Sequence, residues 1–174
     1  MLMLALDRLG SRLRNPIRIE TMTSRVIDFP GVAAASSGDS AAEPPMPTET
    51  TMPFSNLMGV DIHEQTKDRV RARLVVRDDL CTAGGILHGG AYMAFADAVG
   101  AMGAVMNLAE GTRTTTLESK TNFLGSAPVG STIEAEATPL HVGRRSSVWQ
   151  TRVTNADGKL LAIVTQTQMT IFPG

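Results

Sequence analysis

The chain has 174 residues, of which 43% are hydrophobic and 19% are charged, and its formal net charge at pH 7 is −1. These values are typical of one globular domain with a sizeable core. The near-zero charge argues against a nucleic-acid partner, and no apolar run is long enough to span a membrane. Because Cys81 is the single cysteine, a disulfide framework is excluded and a reducing, cytoplasmic compartment is expected.

Residues 1–51 are predicted to form a flexible N-terminal extension and linker, separate from a domain over residues 52–174. Their apolar start is interrupted by Asp7 and Arg8, which is too early for a secretory signal. Three interpretations are open: an untargeted extension or alternative start, a short docking helix, or a targeting signal. Residues 32–51 are small, polar and rich in proline, which indicates a segment that buries too little apolar area to order itself.

The second segment is dominated by period-two hydrophobic patterns, which predict half-buried strands. Two come before a single helical stretch and four come after it. The connections are short and carry turn residues, including the strong hairpin signal Asp157-Gly158, so the sheet should be antiparallel. The predicted strands lie around residues 60–62, 70–76, 113–124, 132–141, 146–155 and 160–171.

The helix between these two groups starts near Gly90 and is rich in glycine and alanine, although each glycine inside a helix costs about 1 kcal/mol relative to alanine. Such a thin helix predicts very close packing against a surface, as in an α+β fold whose curved sheet wraps around one central helix. A glycine-rich turn containing His88 leads into it. The helix also carries the carboxylate of Asp97, and an acid in apolar surroundings is a candidate for chemistry.

The helix start predicts a site for a polarised carbonyl oxygen. The N–H groups of Gly89 and Gly90 lie in the first turn and have no intrahelical acceptor, and the helix dipole places positive potential behind them. Asp97 follows His88 by nine positions (97 − 88 = 9), which is roughly 13 Å along a helix axis. Within one chain, the Gly89 N–H and the Asp97 carboxylate therefore cannot easily contact the same carbonyl group. Either the two groups have different roles, or a second copy of the chain supplies its Asp97 beside Gly89 in a symmetric dimer.

At these residues the chain resembles the hotdog-fold acyl-CoA thioesterases of the phenylacetate-degradation type. The resemblance covers about residues 52–172. It rests on Pro53-Phe54, on Gly85-Ile86-Leu87-His88-Gly89-Gly90 followed by Asp97, on residues 116–124, and on Gly130 and Gly143-Arg144. It implies an acyl-CoA substrate, no separate cofactor because coenzyme A is part of that substrate, and a homodimer or homotetramer.

The resemblance also implies roles for residues. Gly89 N–H would polarise the thioester carbonyl, and Asp97 of a neighbouring subunit would act as general base or nucleophile. His88 would shape the turn and contact the thioester, and Thr116 would position water. Thr82 stands where many members have Asn or Gln, which predicts altered orientation of Asp97 or water.

Substrate contacts are expected from a second group of residues. Arg144 and Arg145 follow a turn glycine, and their guanidinium groups suit the phosphates of CoA. An acyl tunnel between subunits should be lined by Met93, Phe95 and Met102, and Gly90 and Thr82 are also expected to contact the substrate. No ligand pair has zinc spacing, so no metal site is predicted. Two alternatives to hydrolysis are an enoyl-CoA hydratase-like enzyme and a non-catalytic acyl-CoA-binding module.

Overall fold

The computed structural model describes residues 52–174, so the predicted extension and linker over residues 1–51 lie outside the described residues. The described part contains two α-helices and six strands, joined by short loops and one 3-10 turn. Their bounds are α1 Pro53–Met58, β1 Asp61–Gln65, β2 Val70–Val75, α2 Gly89–Val105, β3 Arg113–Phe123, β4 Thr132–Val142, β5 Ser146–Asn155 and β6 Leu160–Ile171.

The six strands form one antiparallel sheet in the order β1-β2-β4-β5-β6-β3. Every predicted strand is present, and α2 packs against all six strands. The predicted α+β architecture, an antiparallel sheet around one long helix, is therefore confirmed. The short helix α1 was missed; Pro53 starts it, and Gly59 ends it in the left-handed conformation with φ 80°. Among the described residues, no helix is both long and apolar enough to cross a bilayer.

The two faces of the sheet differ in character because side chains alternate along each strand. On the inner face, apolar side chains such as Leu74, Ile133 and Val153 are at most 1% exposed and pack around α2. The outer face carries ion pairs between neighbouring strands, including Arg71–Glu136. The alternation that predicted the strands thus also divides core from solvent.

The thin helix accommodates large side chains from the strands. A Cβ atom on Gly103 would lie 2.5 Å from the ring of Trp149, and one on Gly100 would lie 2.5 Å from Oε1 of Gln166. Trp149 and Gln166 are both 0% exposed. Close packing was predicted correctly, and its cause is the insertion of these two side chains at two helical glycines.

Candidate active site

The loop before α2 is held by backbone hydrogen bonds on both sides. Leu87 N–H donates to Ala127 O at 2.8 Å, and His88 N–H donates to Leu80 O at 2.9 Å. Gly85 has φ 68°, a left-handed conformation that favours glycine. These contacts fix the position of His88 and the direction in which the helix starts.

His88 caps the helix with its side chain. Its Nδ1 accepts a hydrogen bond from Gly90 N–H at 2.9 Å. Because Nδ1 is the acceptor, the neutral ring carries its proton on Nε2, which remains a hydrogen-bond donor on an exposed residue. A Cβ atom on Gly90 would lie 3.1 Å from Nδ1, so the glycine leaves room for the cap. The turn-shaping role expected of His88 thus has a direct geometric basis.

Of the two helix-start N–H groups, one is available for a ligand. Gly90 N–H is occupied by His88, so the expectation that it is free was wrong. Gly89 N–H has no acceptor within residues 52–174. The ring of Phe123, at the end of β3, lies over Gly89: a Cβ atom there would be 3.3 Å from Phe123 Cζ. Of these two N–H groups, only that of Gly89 is therefore available to a ligand, and it lies beside the Phe123 ring.

Asp97 lies on the face of α2 that meets β3 and β6. Its Oδ1 accepts hydrogen bonds from Thr116 Oγ1 at 3.0 Å and from Gln166 Nε2 at 3.3 Å. Gln166 Nε2 also lies 3.3 Å from the main-chain oxygen of Asp97. Within the described part of the chain, Oδ2 has no donor, so one carboxylate oxygen is anchored and the other is open.

Two glutamines on β6 were missed by the sequence reasoning. Gln168 Nε2 donates to Thr116 Oγ1 at 2.8 Å, and Thr114 Oγ1 donates to Gln168 Oε1 at 3.1 Å. Gln166 and Gln168 are 0% and 1% exposed. A signal was present, because both occupy inward positions of an alternating strand, where apolar residues are expected.

Gly89 and Asp97 do not meet in one chain. Both belong to the same uninterrupted helix, eight residues apart (97 − 89 = 8), and this spacing corresponds to about 12 Å along the axis. Thr116 contacts Asp97, whereas Phe123, at the end of β3, covers Gly89. The predicted catalytic residues therefore form two half-sites, one of His88 and Gly89 beside Phe123 at the end of β3 and the other of Asp97 and Thr116 in the first half of that strand.

The predicted substrate-binding residues are distributed unevenly. Thr82 Oγ1 accepts from Gly84 N–H at 3.3 Å, so this hydroxyl supports the glycine-rich loop. Met93 is 41% exposed on α2, as a binding residue requires. Phe95 is 0% exposed in the core, so its assignment to an acyl tunnel was wrong. It belongs to the hydrophobic core, which periodicity alone did not distinguish from a ligand-binding surface.

Arg144 and Arg145 follow β4 in an exposed turn. The Arg144 guanidinium lies 5.5 Å from the centre of the Phe172 ring, a cation–π arrangement. Neither arginine forms an ion pair with a described residue. Both charges thus remain available for an anionic ligand.

Cys81 lies in the loop before the helix. Partial burial, followed by the charges of Asp78 and Asp79, raises the pKa of its thiol. Its Sγ donates to Arg77 O at 3.2 Å. A raised pKa disfavours the reactive thiolate, which makes this residue a poor nucleophile.

A largely apolar groove of about 490 Å³ opens beside the helix start. Its volume lies within the range of about 300–1,000 Å³ typical of small-molecule sites. It passes between α1 and α2 and borders His88. The residues that line it are Phe54, Leu57, Met58, Arg77, Asp79, Leu80, Cys81, His88, Gly90, Ala91 and Ala94.

Comparison with known proteins matches residues 84–162 to the thioesterase superfamily. The candidate esterase Rv1847 of Mycobacterium tuberculosis is 32% identical over 121 residues, covering 68% of this chain and 86% of the relative. Its solved structure has a TM-score of 0.67 and 28% identity to this chain, covering 71% and 99% of the two chains.

Two further similar proteins are linked to coenzyme A thioesters. The 1,4-dihydroxy-2-naphthoyl-CoA hydrolase of Listeria monocytogenes is 28% identical over 112 residues, covering 64% of this chain and 90% of the relative. The protein smu.793 of Streptococcus mutans, solved with acetyl CoA bound, has a TM-score of 0.61 and 26% identity, covering 65% and 89% of the two chains. Similarity therefore extends over the segment that contains both half-sites.

Proposed function

This chain belongs to the thioesterase superfamily and is a thioester hydrolase, and from that premise we propose that it hydrolyses acyl-CoA to a free acid and CoA. The observation that carries the proposal is the pair of half-sites: a free N–H at a helix start and a carboxylate with one open oxygen. The acetyl-CoA-bound relative supports CoA as the leaving group. The relative named for an aryl-CoA substrate supports an aryl or short-to-medium acyl group.

The chemistry that fits this geometry is addition of water to the thioester. As general base, Asp97 Oδ2 removes a proton from water while the water oxygen bonds to the carbonyl carbon. The carbonyl oxygen becomes an oxyanion at Gly89 N–H, with His88 Nε2–H as a second donor. The C–S bond then breaks, and the CoA thiolate takes the proton back from Asp97. In the nucleophilic alternative, Asp97 Oδ2 bonds to the carbonyl carbon and the C–S bond breaks, which releases CoA thiolate and leaves a mixed anhydride. Water then hydrolyses the anhydride to the free acid, and the thiolate takes the proton that this step leaves on Asp97.

We propose that the two half-sites are joined in a homodimer. Within the sheet that residues 52–174 form, β3 is an 11-residue edge strand with β6 as its one neighbour, and Leu117 on it is 58% exposed. Such an edge is a template for pairing with another chain. Antiparallel pairing of two β3 strands places the Thr116 end of one beside the Phe123 end of the other. Asp97 of the partner subunit would then approach Gly89 N–H, which completes the site.

The groove beside His88 is the proposed place for the apolar part of the substrate. It adjoins the helix start, and Phe54 and Leu57 supply exposed apolar surface at 62% and 73% exposure. Met93 contributes from the exposed side of α2. An acyl or aryl group lying here would bring its thioester carbonyl toward Gly89.

The test of the function is thiol release from a panel of aryl-CoA and short-to-medium acyl-CoA substrates. We expect turnover with at least one of them, lowered by at least about 100-fold in Asp97→Asn. Crotonyl-CoA is included, with loss of its conjugated absorbance as the readout for hydration. Hydration without thiol release would favour the hydratase alternative, and tight binding of every substrate without turnover would favour the binding module.

Arg144 and Arg145 are proposed to bind CoA phosphates. Replacing both with alanine should raise KM for acyl-CoA by about tenfold, equivalent to about 1.4 kcal/mol of binding. The N-acetylcysteamine thioester of the same acyl group lacks the phosphates, so its KM should stay unchanged. Arg152→Ala, on the outer face of β5, is the matched charge control. An equal rise in KM for both thioesters would contradict phosphate binding.

A further inference from the structure

Gln166 stands out as an uncharged polar side chain buried completely against a carboxylate. Its Nε2 lies 3.3 Å from Asp97 Oδ1 and 3.3 Å from the Asp97 main-chain oxygen. Its Oε1 has no hydrogen-bond donor among the described residues. A buried amide oxygen left unpaired costs about 1–3 kcal/mol, so an apolar side chain would serve stability better.

Gly100 provides the space that this amide occupies. It follows Asp97 by three positions on α2 (100 − 97 = 3), so both residues face the same strands. A Cβ atom on Gly100 would lie 2.5 Å from Oε1 and 2.6 Å from Cδ of Gln166. Glycine within a helix itself costs about 0.5–1 kcal/mol relative to alanine. The unpaired Gln166 Oε1 and the glycine at residue 100 both reduce stability. Both are needed to hold the Gln166 Nε2 donor against Asp97.

Gln168 acts one step further from the carboxylate. Its Nε2 donates to Thr116 Oγ1, which leaves the Thr116 hydroxyl proton to point at Asp97 Oδ1. Thr114 Oγ1 lies 3.1 Å from Gln168 Oε1 and 3.2 Å from the main-chain oxygen of Met169, so its one proton is shared between these acceptors and helps to orient the amide. A directed series of donors, Thr114, Gln168 and Thr116, therefore ends at the same oxygen that Gln166 contacts.

We propose that Gln166, held in place by Gly100, is the positioning residue of the reaction, and that Gln168 supports it through Thr116. Together they fix Asp97 by Oδ1 and leave Oδ2 as the atom that reacts with water or the thioester carbonyl. The inference rests on the proposed thioester hydrolysis. It assigns the donors that orient the carboxylate to β6, a role that residues near the glycine-rich loop were expected to fill.

The test is a double-mutant cycle between residues 100 and 166, read as kcat and KM separately. Gly100→Ala keeps the glutamine but displaces its amide, and Gln166→Ala removes the amide. Each change should lower kcat by about 10- to 100-fold because the carboxylate loses its alignment, with KM within about twofold. In the double variant the new Cβ atom has no amide to displace, so its kcat should equal that of Gln166→Ala.

Gly103→Ala is the matched control. It inserts the same methyl group one helical turn further along, where the nearest atoms belong to the Trp149 ring at 2.5 Å and none belongs to Asp97, Thr116 or Gln166. It should lower the unfolding temperature while kcat stays near the wild-type value. Gln166→Met keeps the side-chain length without a donor, and it provides a second loss-of-donor variant if Gln166→Ala does not fold.

The outcomes separate two failures. If wild type turns over acyl-CoA and Asp97→Asn does not, the proposed function stands and the Gln166 variants are decisive. Wild-type kcat in folded Gln166→Met, multiplied effects in the double variant, or an equal loss of kcat in Gly103→Ala would each overturn the positioning role. If wild type releases no thiol from any acyl-CoA, the proposed function itself fails, and the inference fails with it.

Discussion

Asp97→Asn is expected to lower kcat by about 10²- to 10⁴-fold, the usual contribution of a positioned general base. The amide is nearly isosteric with the carboxylate, so the residue still fits between Thr116 and Gln166. It cannot take a proton from water or attack a carbonyl. The measurement is steady-state thiol release, with the unfolding temperature recorded for both proteins.

Asp68→Asn is the control for this loss. Asp68 is exposed between β1 and β2, far in sequence from the candidate site, and the same chemical change there should leave kcat unaltered. Comparable kcat values for wild type and Asp97→Asn would show that the carboxylate takes no part in the reaction.

Gly89→Pro is expected to lower kcat by about 10²- to 10³-fold, the range seen when one oxyanion-hole donor is removed. Gly89 is the first residue of α2, where proline is tolerated because the N–H makes no intrahelical bond. His88 already has the extended backbone, φ −66° and ψ 142°, that a following proline requires. The substitution thus removes the proposed donor without breaking the helix.

Gly89→Ala distinguishes the loss of the N–H donor from the effect of the added side-chain atoms. It introduces a Cβ atom 3.3 Å from Phe123 Cζ, so the ring must shift by a few tenths of an ångström, but the N–H stays. We expect this variant to keep most of the wild-type kcat. If proline and alanine at residue 89 give the same kcat, the N–H does not stabilise the transition state.

The strands, the helix and their order could be predicted because each depends on local patterns. Period-two alternation and turn residues such as Asp157-Gly158 are legible in the sequence, and the sheet confirms them. Helix α1 was not predicted because a helix of six residues is too short to show a periodic hydrophobic pattern. Phe95 was placed in an acyl tunnel instead of the core because a helix rich in alanine and glycine has no clear apolar stripe.

The sequence was sufficient to predict individual site residues, but not the contacts that these residues make in the folded chain. His88, Gly89 and Asp97 follow one another closely in sequence, so their spacing along a helix could be calculated. The contacts of Asp97 with Gln166 depend on sheet register, 69 residues away along the chain. The loss of Gly90 N–H to His88 depends on a side-chain conformation. The first is settled by tertiary packing and the second by a local side-chain conformation, and composition and periodicity encode neither.

The central claim is that one active site combines Gly89 of one subunit with Asp97 of another. The most direct test mixes two inactive variants, Gly89→Pro and Asp97→Asn, by co-refolding or co-expression with different tags. A heterodimer holds one site with both defects and one site with neither, so purified heterodimers should recover about half of the wild-type kcat per dimer. Heterodimers as inactive as the parent variants would contradict the shared site.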